Sequence, residues 1–362
     1  MRKLLENLDL PKLFLNDRGG AVQTCGEWKT RREEIKELLQ REEYGYFPQT
    51  VQPEIKSEKK EERAFSGNTV HETLSFEFEN DGRRHCVPVN LLYPQFAAEK
   101  IPFIVFVNFR PDIPDKYFYV EEIIEKGFGV ASFCYKDVSS DSAEWDGLAE
   151  VLCKSGDRTP QTFGKLVLWS YMAQRVMDYI LTLDFADKQN VAVMGHSRLG
   201  KTAMLTAAFD ERFAFSCIND SGCCGAAISR GKGGEDIAFI TKRFPFWFCG
   251  NFGKYANRES EMPFDQHFLL ALIAPRAACV GTAELDTWAD TDYQYLTCMA
   301  ADEVWRLHGA DGFLTDGTKP NECTNLTDGK IGFYCRTGTH FMSVRDWRIY
   351  MDFIKKHKNQ RG

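Results

Sequence analysis

The stretch Val191-Ala192-Val193-Met194-Gly195-His196-Ser197-Arg198-Leu199-Gly200-Lys201 constrains this chain more than any other. Four apolar residues in a row read as a buried strand, and residues 202–208 read as a helix packed on its neighbours. Between them, Gly-His-Ser-Arg-Leu-Gly has to turn the chain sharply. A serine at such a turn is lifted out of the sheet, where its hydroxyl can meet a substrate and a base. The spacing departs from the common G-x-S-x-G pattern: Leu199 stands where the second glycine belongs, and Gly200 follows one place later. A plain strand–helix turn with a capping serine would use the same residues. The reading therefore depends on whether the rest of the chain supplies partners for Ser197.

The chain around this turn alternates strand and helix. Residues up to 26 read as an irregular lead-in, followed by an amphipathic helix over 27–44 that ends at Gly45-Tyr46-Phe47-Pro48. From 51 to 94 short alternating strands take over, with Asn80-Asp81-Gly82 as a hairpin turn between 73–78 and 85–92. Strands are then expected at 102–107, 129–134, 191–194, 213–218, 277–281 and 331–335. Helices are expected at 119–126, 163–183, 293–307 and 344–356, with a polar loop over the sheet at 139–147. Such alternation implies a mostly parallel central sheet with helices on both faces, a three-layer α/β sandwich with antiparallel N-terminal edge strands. No repeat or low-complexity linker divides the chain, so one catalytic domain over 1–362 is expected, with 1–50 as its helical lead-in. The long insertions 222–266 and 310–329 are expected to form pocket walls or lids.

Composition removes several classes of function. The net charge is −7 with no long basic run, which argues against a nucleic-acid partner. No stretch approaches the roughly 18 apolar residues of a membrane span. The first ten residues carry charges where a signal peptide needs an unbroken apolar core, so a native start here implies a cytoplasmic protein. A secreted chain with its signal already removed would look the same. The twelve cysteines are scattered, many within apolar segments, and read as reduced thiols. Cys223-Cys224 has no second pair at zinc-site spacing, so neither a metal nor a cofactor is expected.

A serine hydroxyl needs a base, and the base needs an acid to hold its tautomer. Three histidines lie downstream of the turn and before the last helix. His308 reads as a helix C-cap and His267 as a structural residue at a helix start. His340 follows the last strand in Gly338-Thr339-His340, where a base for Ser197 belongs. Two acids compete to orient it: Asp286 after the strand at 277–281, and Asp220 after the strand at 213–218. For negative charge developing on a carbonyl oxygen, the backbone N–H of Arg198 is one donor by position. The loop Asn108-Phe109-Arg110-Pro111-Asp112, from which a second would come, has no glycine, so the Arg198 guanidinium is the candidate substitute.

Taken together, Gly-His-Ser-Arg-Leu-Gly-Lys, Asn219-Asp220-Ser221-Gly222, Gly234-Glu235, Pro245-Phe246-Trp247-Phe248, Pro263-Phe264-Asp265-Gln266-His267, Ala274-Pro275-Arg276, Asp286-Thr287-Trp288-Ala289-Asp290 and Gly338-Thr339-His340 resemble carbohydrate esterase family 15, the glucuronoyl esterases. The resemblance runs from about residue 102 to the end. It implies an α/β-hydrolase fold with Ser197 as nucleophile, His340 as base and Arg198 as side-chain oxyanion donor. It also implies Lys201 and Glu235 as ligands of glucuronate hydroxyls and the Trp288 indole as a pocket wall. The family often has glutamate at the place of Asp220, and some bacterial members use an acid at the place of Asp286; the shorter reach of Asp220 favours Asp286.

The expected activity is a serine carboxylesterase acting on esters of (4-O-methyl-)glucuronic acid. The alternative is an acetyl xylan esterase or other sugar deacetylase with the same triad. The expected partner is a carbohydrate ester, either a glucuronoxylan-derived or an acetylated oligosaccharide. The oligomeric state is not legible in the sequence.

Overall fold

The computed structural model describes residues 1–358. One ten-stranded sheet runs through it, built from β1 (Glu54–Ala64), β2 (Thr69–Asn80), β3 (Arg83–Pro94), β4 (Phe103–Asn108), β5 (Gly129–Cys134), β6 (Ala192–His196), β7 (Phe215–Asn219), β8 (Ala277–Ala283), β9 (Asn325–Leu326) and β10 (Ile331–Arg336). Their order across the sheet is β1-β2-β3-β5-β4-β6-β7-β8-β10-β9. The run from β5 to β10 is parallel, while β1, β2, β3 and the short β9 pair antiparallel. This is the mostly parallel, three-layer α/β sandwich expected from the alternation, and the α/β-hydrolase fold that the resemblance implies.

The layers follow from the two-residue period of strands whose both faces are covered. In β4, Phe103, Val105 and Val107 face one core, while Ile104 and Phe106 face the other. In β6, Val193 points one way and Ala192 and Met194 the other. The first core is filled by helices Lys165–Ile180, Arg198–Phe209 and Thr291–Leu307, and the second by Val120–Glu125 and Val344–His357. The aromatics of the helix Lys165–Ile180 are packing residues: Trp169 and Tyr171 are buried in the core.

The N-terminal edge differs from expectation in length and character. The three edge strands are 11 or 12 residues long, and β1 is charged along almost its whole exposed length. Hydrophobic alternation cannot reveal such a strand. Its charges blunt an edge that would otherwise invite pairing. The hairpin turn is as read, with positive φ at both Asp81 (50°) and Gly82 (76°). Those signs match a type I′ turn. The lead-in holds one helix more than expected, the short Arg2–Glu6; the helix expected over 27–44 forms as Cys25–Leu39, started by a Thr24–Glu27 capping box and continued by a turn of π-helix over Gln40–Tyr44.

The two insertions part company. Residues of 222–266 line the cavity above Ser197, but none of 310–329 does. The second insertion packs instead against the N-terminus and the helix Thr291–Leu307. The Met1 ammonium donates to the Gly317 carbonyl (2.9 Å), and the Phe313 amide to Asp302 (2.6 Å). The pocket wall or lid expected there is corrected: Phe313 is buried among Tyr295 and Phe333, which ties the segment down against the helix. All twelve cysteines are unbridged. Among the described residues no helix is long and apolar enough to cross a membrane.

Candidate active site

The turn after β6 places Ser197 at φ 59° and ψ −127°, a backbone conformation that costs a non-glycine residue about 1–3 kcal/mol. The surroundings hold it there. The Ser197 amide donates to the Asn219 carbonyl (2.8 Å), and the elbow helix Arg198–Phe209 starts at once. A Cβ on Gly195 would stand 2.1 Å from the Leu199 carbonyl oxygen, so only glycine fits under the turn. The displaced glycine has its own reason. A Cβ on Gly200 would stand 2.8 Å from the Asn219 carbonyl oxygen, so Gly200 lets the elbow helix settle on the end of β7.

Three strand ends bring the triad together. Nε2 of His340 lies 2.8 Å from Ser197 Oγ, and Nδ1 lies 2.6 Å from Asp286 Oδ2. Asp286 is buried, while His340 stands open to the cavity. Hydroxyl, imidazole and carboxylate thus form one hydrogen-bonded line.

The structure separates the two acids that the sequence left open. Asp220 adopts φ 43° and turns its carboxyl to the guanidinium of Arg336 (3.4 Å), making no hydrogen bond to His340. Burial, with the charge of Asp286 nearby, pushes the Asp220 carboxyl well above the usual carboxylate range. Among the described residues its Oδ1 has no hydrogen-bond partner. Asp220, Asp286 and His340 bring one ligand atom each within 4.8 Å, a spacing that could suit a cation. Here Asp286 and His340 serve the relay, and Arg336 supplies the positive charge beside Asp220.

Arg336 was not singled out in the sequence. Its Nη1 donates to the carbonyls of Thr337 (3.1 Å) and Thr339 (3.4 Å), and its Nη2 to that of Phe341. Its Nε meets both oxygens of Asp346 at 2.9 Å. One buried guanidinium therefore staples the loop that carries His340. His196, the residue before Ser197, packs its ring 4.6 Å from that of His340. Its Nδ1 pairs with Asn219 Oδ1 at 2.7 Å. Burial, reinforced by His340, pushes the His196 imidazole well below its ordinary value, so it stays neutral.

Above Ser197 lies a cavity of about 350 Å³ lined by Arg198, Lys201, Glu235, Phe239, Phe244, Trp247 and Trp288, among others. Lys201, one helical turn from the serine, is buried; its Nζ donates to the Ser221 carbonyl and sits 3.6 Å from Glu235 Oε2. Trp288 is half exposed at the rim, edge-on to Phe239 at 5.0 Å. An apolar wall with a few convergent polar groups is the make-up of a small-molecule site.

The usual source of a second oxyanion donor is closed off. The Phe109 amide after β4 donates to the side chain of its neighbour Asn108 (2.7 Å). The Arg198 guanidinium lines the cavity instead, over the rings of Trp247 (4.7 Å) and Phe244 (5.1 Å) and bonded by Nη1 to Asp141. Asp141 and the role of Trp247 were missed in the sequence. The only signal was a polar loop at the end of β5. His267 and His308 are placed as expected: His267 is buried against the Pro11 carbonyl (3.0 Å), and His308 caps the helix Thr291–Leu307.

A family model described as "Glucuronyl esterase, fungi" matches residues 77–309. A carbohydrate esterase from an unknown prokaryotic organism is 30% identical, over 97% of this chain and 91% of that protein. The 4-O-methyl-glucuronoyl methylesterase of Hypocrea jecorina is 27% identical over 86% of this chain, which spans 65% of that longer protein. Among solved structures, the glucuronoyl esterase from Solibacter usitatus superimposes with a TM-score of 0.90. It is 31% identical over 97% of this chain and 98% of its own.

Proposed function

The chain belongs to the glucuronyl esterases of carbohydrate esterase family 15, and from that membership we propose that it hydrolyses esters of glucuronic and 4-O-methylglucuronic acid through an acyl-enzyme on Ser197. The observation that carries the reading is the unbroken line Asp286–His340–Ser197, opening onto a cavity that also presents Arg198, Lys201 and Glu235.

In this reading Ser197 Oγ attacks the ester carbonyl carbon while Nε2 of His340 takes its proton. Asp286 keeps Nδ1 protonated and stabilises the imidazolium. The backbone N–H of Arg198, the first of its helix and without a helical partner, and the Arg198 guanidinium receive the oxyanion. On collapse the ester C–O bond breaks and His340 gives the proton to the departing alcohol. Water, deprotonated by His340, then attacks the acyl-enzyme; the uronic acid leaves and Ser197 regains its proton. Lys201 and Glu235 take the sugar hydroxyls, and Trp288 faces the ring at the rim.

The uronate is the acyl half of the bond, and the cationic Arg198 and Lys201 beside it suit an electron-rich uronate better than a bare acetyl group. The test compares hydrolysis of benzyl glucuronate, methyl 4-O-methylglucuronate and acetylated xylo-oligosaccharides by wild type and Ser197→Ala. Preference for the uronate esters, lost in the variant, supports the reading. Preference for the acetyl esters overturns the substrate and keeps the triad. Wild-type rates in Ser197→Ala overturn the nucleophile.

A further inference from the structure

We infer that Asp141, in the loop after β5, is a positioning residue that holds the Arg198 guanidinium aimed at the oxyanion. The inference rests on the reading of Arg198 as oxyanion donor. A donor stabilises developing charge well only if it is already in place when the charge appears. An arginine does not meet that condition unaided, since its long stem carries about 2 kcal/mol of rotamer entropy.

The restraints on Arg198 converge on one carboxylate. Asp141 Oδ2 accepts from Arg198 Nη1 and from the Tyr135 hydroxyl (3.0 Å), and Oδ1 accepts from Trp247 Nε1 (2.8 Å). Its side chain is only 10% exposed. Trp247 acts twice: its N–H fixes the carboxylate, and its ring lies 4.7 Å from the guanidinium carbon. Phe244 is stacked on Trp247 at 4.0 Å and 2°, which stiffens that face. Edge and face of the guanidinium are therefore both set. Among the described residues, Nη2 of Arg198 has no hydrogen-bond partner, so a donor remains for a ligand, while Nε is buried beneath it. Because three donors share the Asp141 charge, the carboxylate orients the cation without simply cancelling it.

The loop that carries Asp141 is pinned on both sides. The buried Lys165 ammonium donates to Ser139 Oγ, to the Glu144 carbonyl (2.7 Å) and to Asp146 Oδ1 (3.2 Å). The Ser140 amide donates to the same Asp146 oxygen at 3.0 Å. Residue 141 thus sits in a braced turn, and none of its contacts crosses to the triad itself.

The test is a double-mutant cycle on benzyl glucuronate with Asp141→Asn, Arg198→Ala and the pair. Removing one oxyanion donor costs roughly 10²–10³ in rate, which sets the scale for Arg198→Ala. Asp141→Asn is expected to lower kcat about 10-fold or more with little change in KM. In the Arg198→Ala background the same change is expected to cost nothing further, which a merely structural role would not produce. A wild-type kcat in Asp141→Asn, or losses that multiply in the pair, would overturn the inference. If Arg198→Ala alone keeps its rate, the donor reading falls, and this inference with it. Should Asp141→Asn fail to fold, Tyr135→Phe removes one donor from the same carboxylate. It is expected to lower kcat a few-fold only where Arg198 is present; a loss equal in both backgrounds overturns the inference.

Discussion

Asp286 holds its Oδ2 2.6 Å from Nδ1 of His340, and among the described residues no other carboxylate hydrogen-bonds that ring. An acid in this place fixes the tautomer and stabilises the imidazolium, and its amide variant loses both while keeping the shape. Asp286→Asn is expected to lower kcat by about 10⁴, by the precedent of such substitutions. Asp220→Asn is the contrast. Burial and the Asp286 charge already drive the Asp220 carboxyl towards its protonated form, which an amide mimics. Its kcat is expected to stay within about 3-fold of wild type. Steady-state rates of the two variants decide the assignment, and a larger loss in Asp220→Asn would transfer the role.

Arg336 gives a second handle on the base. It bonds three carbonyls of the loop carrying His340 and both oxygens of the buried Asp346. Lysine keeps the charge but lacks the fork that reaches several acceptors at once. Arg336→Lys is expected to cost about 3 kcal/mol of stability, the range for a broken buried pair. Its kcat is expected to fall about 10-fold with KM nearly unchanged, because the loop moves His340 and not the sugar contacts. Urea unfolding and steady-state kinetics read the two effects, and a loss confined to KM would contradict the second.

The strand–serine–helix turn was legible because it is local: an apolar run, a glycine under the turn and a helix within a dozen residues. The parallel strands were legible for the same reason, being continuous apolar runs buried on both faces. Asp286 and Asp220 were not separable, since both follow strand ends and only the positive φ at Asp220 turns it to Arg336. Asp141 was invisible because its meaning lies in Trp247, a partner 106 positions away. The strand β1 escaped because its residues are charged, and the 310–329 segment was misread because insertion length says nothing about which side of a helix a loop covers.

The Lys201–Glu235 pair carries the specificity reading. Both side chains are largely buried, 5% and 12% exposed, and stand 3.6 Å apart in the cavity wall. A polar group placed for a sugar hydroxyl acts on ground and transition states alike, so its loss falls on KM. Glu235→Gln keeps a hydrogen-bonding side chain and removes the charge. It is expected to raise KM for methyl 4-O-methylglucuronate about 10-fold, near 1.4 kcal/mol for one charged hydrogen bond. A glucose-free aryl acetate is expected to be hydrolysed at the wild-type rate. Equal losses on both substrates would point to a damaged site in place of a lost sugar contact.

Glu43 sets a pH dependence of stability that is independent of the chemistry. Burial pushes its carboxyl up to about 8, against hydrogen bonds from Gln266 Nε2 (3.1 and 3.2 Å) that pull it down. Its folded value lies above its unfolded one, so the folded state holds the extra proton. The stabilising contribution is complete below the unfolded value, near 4.5, and disappears as pH rises through about 8. Across that window wild type is expected to lose up to about 1.4 kcal/mol per pH unit relative to Glu43→Gln, whose amide does not titrate. Urea midpoints of both proteins at pH 5.5 and 8.5 measure the difference directly, and other titrating groups cancel in it. Wild type losing ground between the two pH values is the expected result. Parallel slopes would mean that Glu43 already ionises in the folded protein, with Gln266 and the nearby Lys201 compensating its burial.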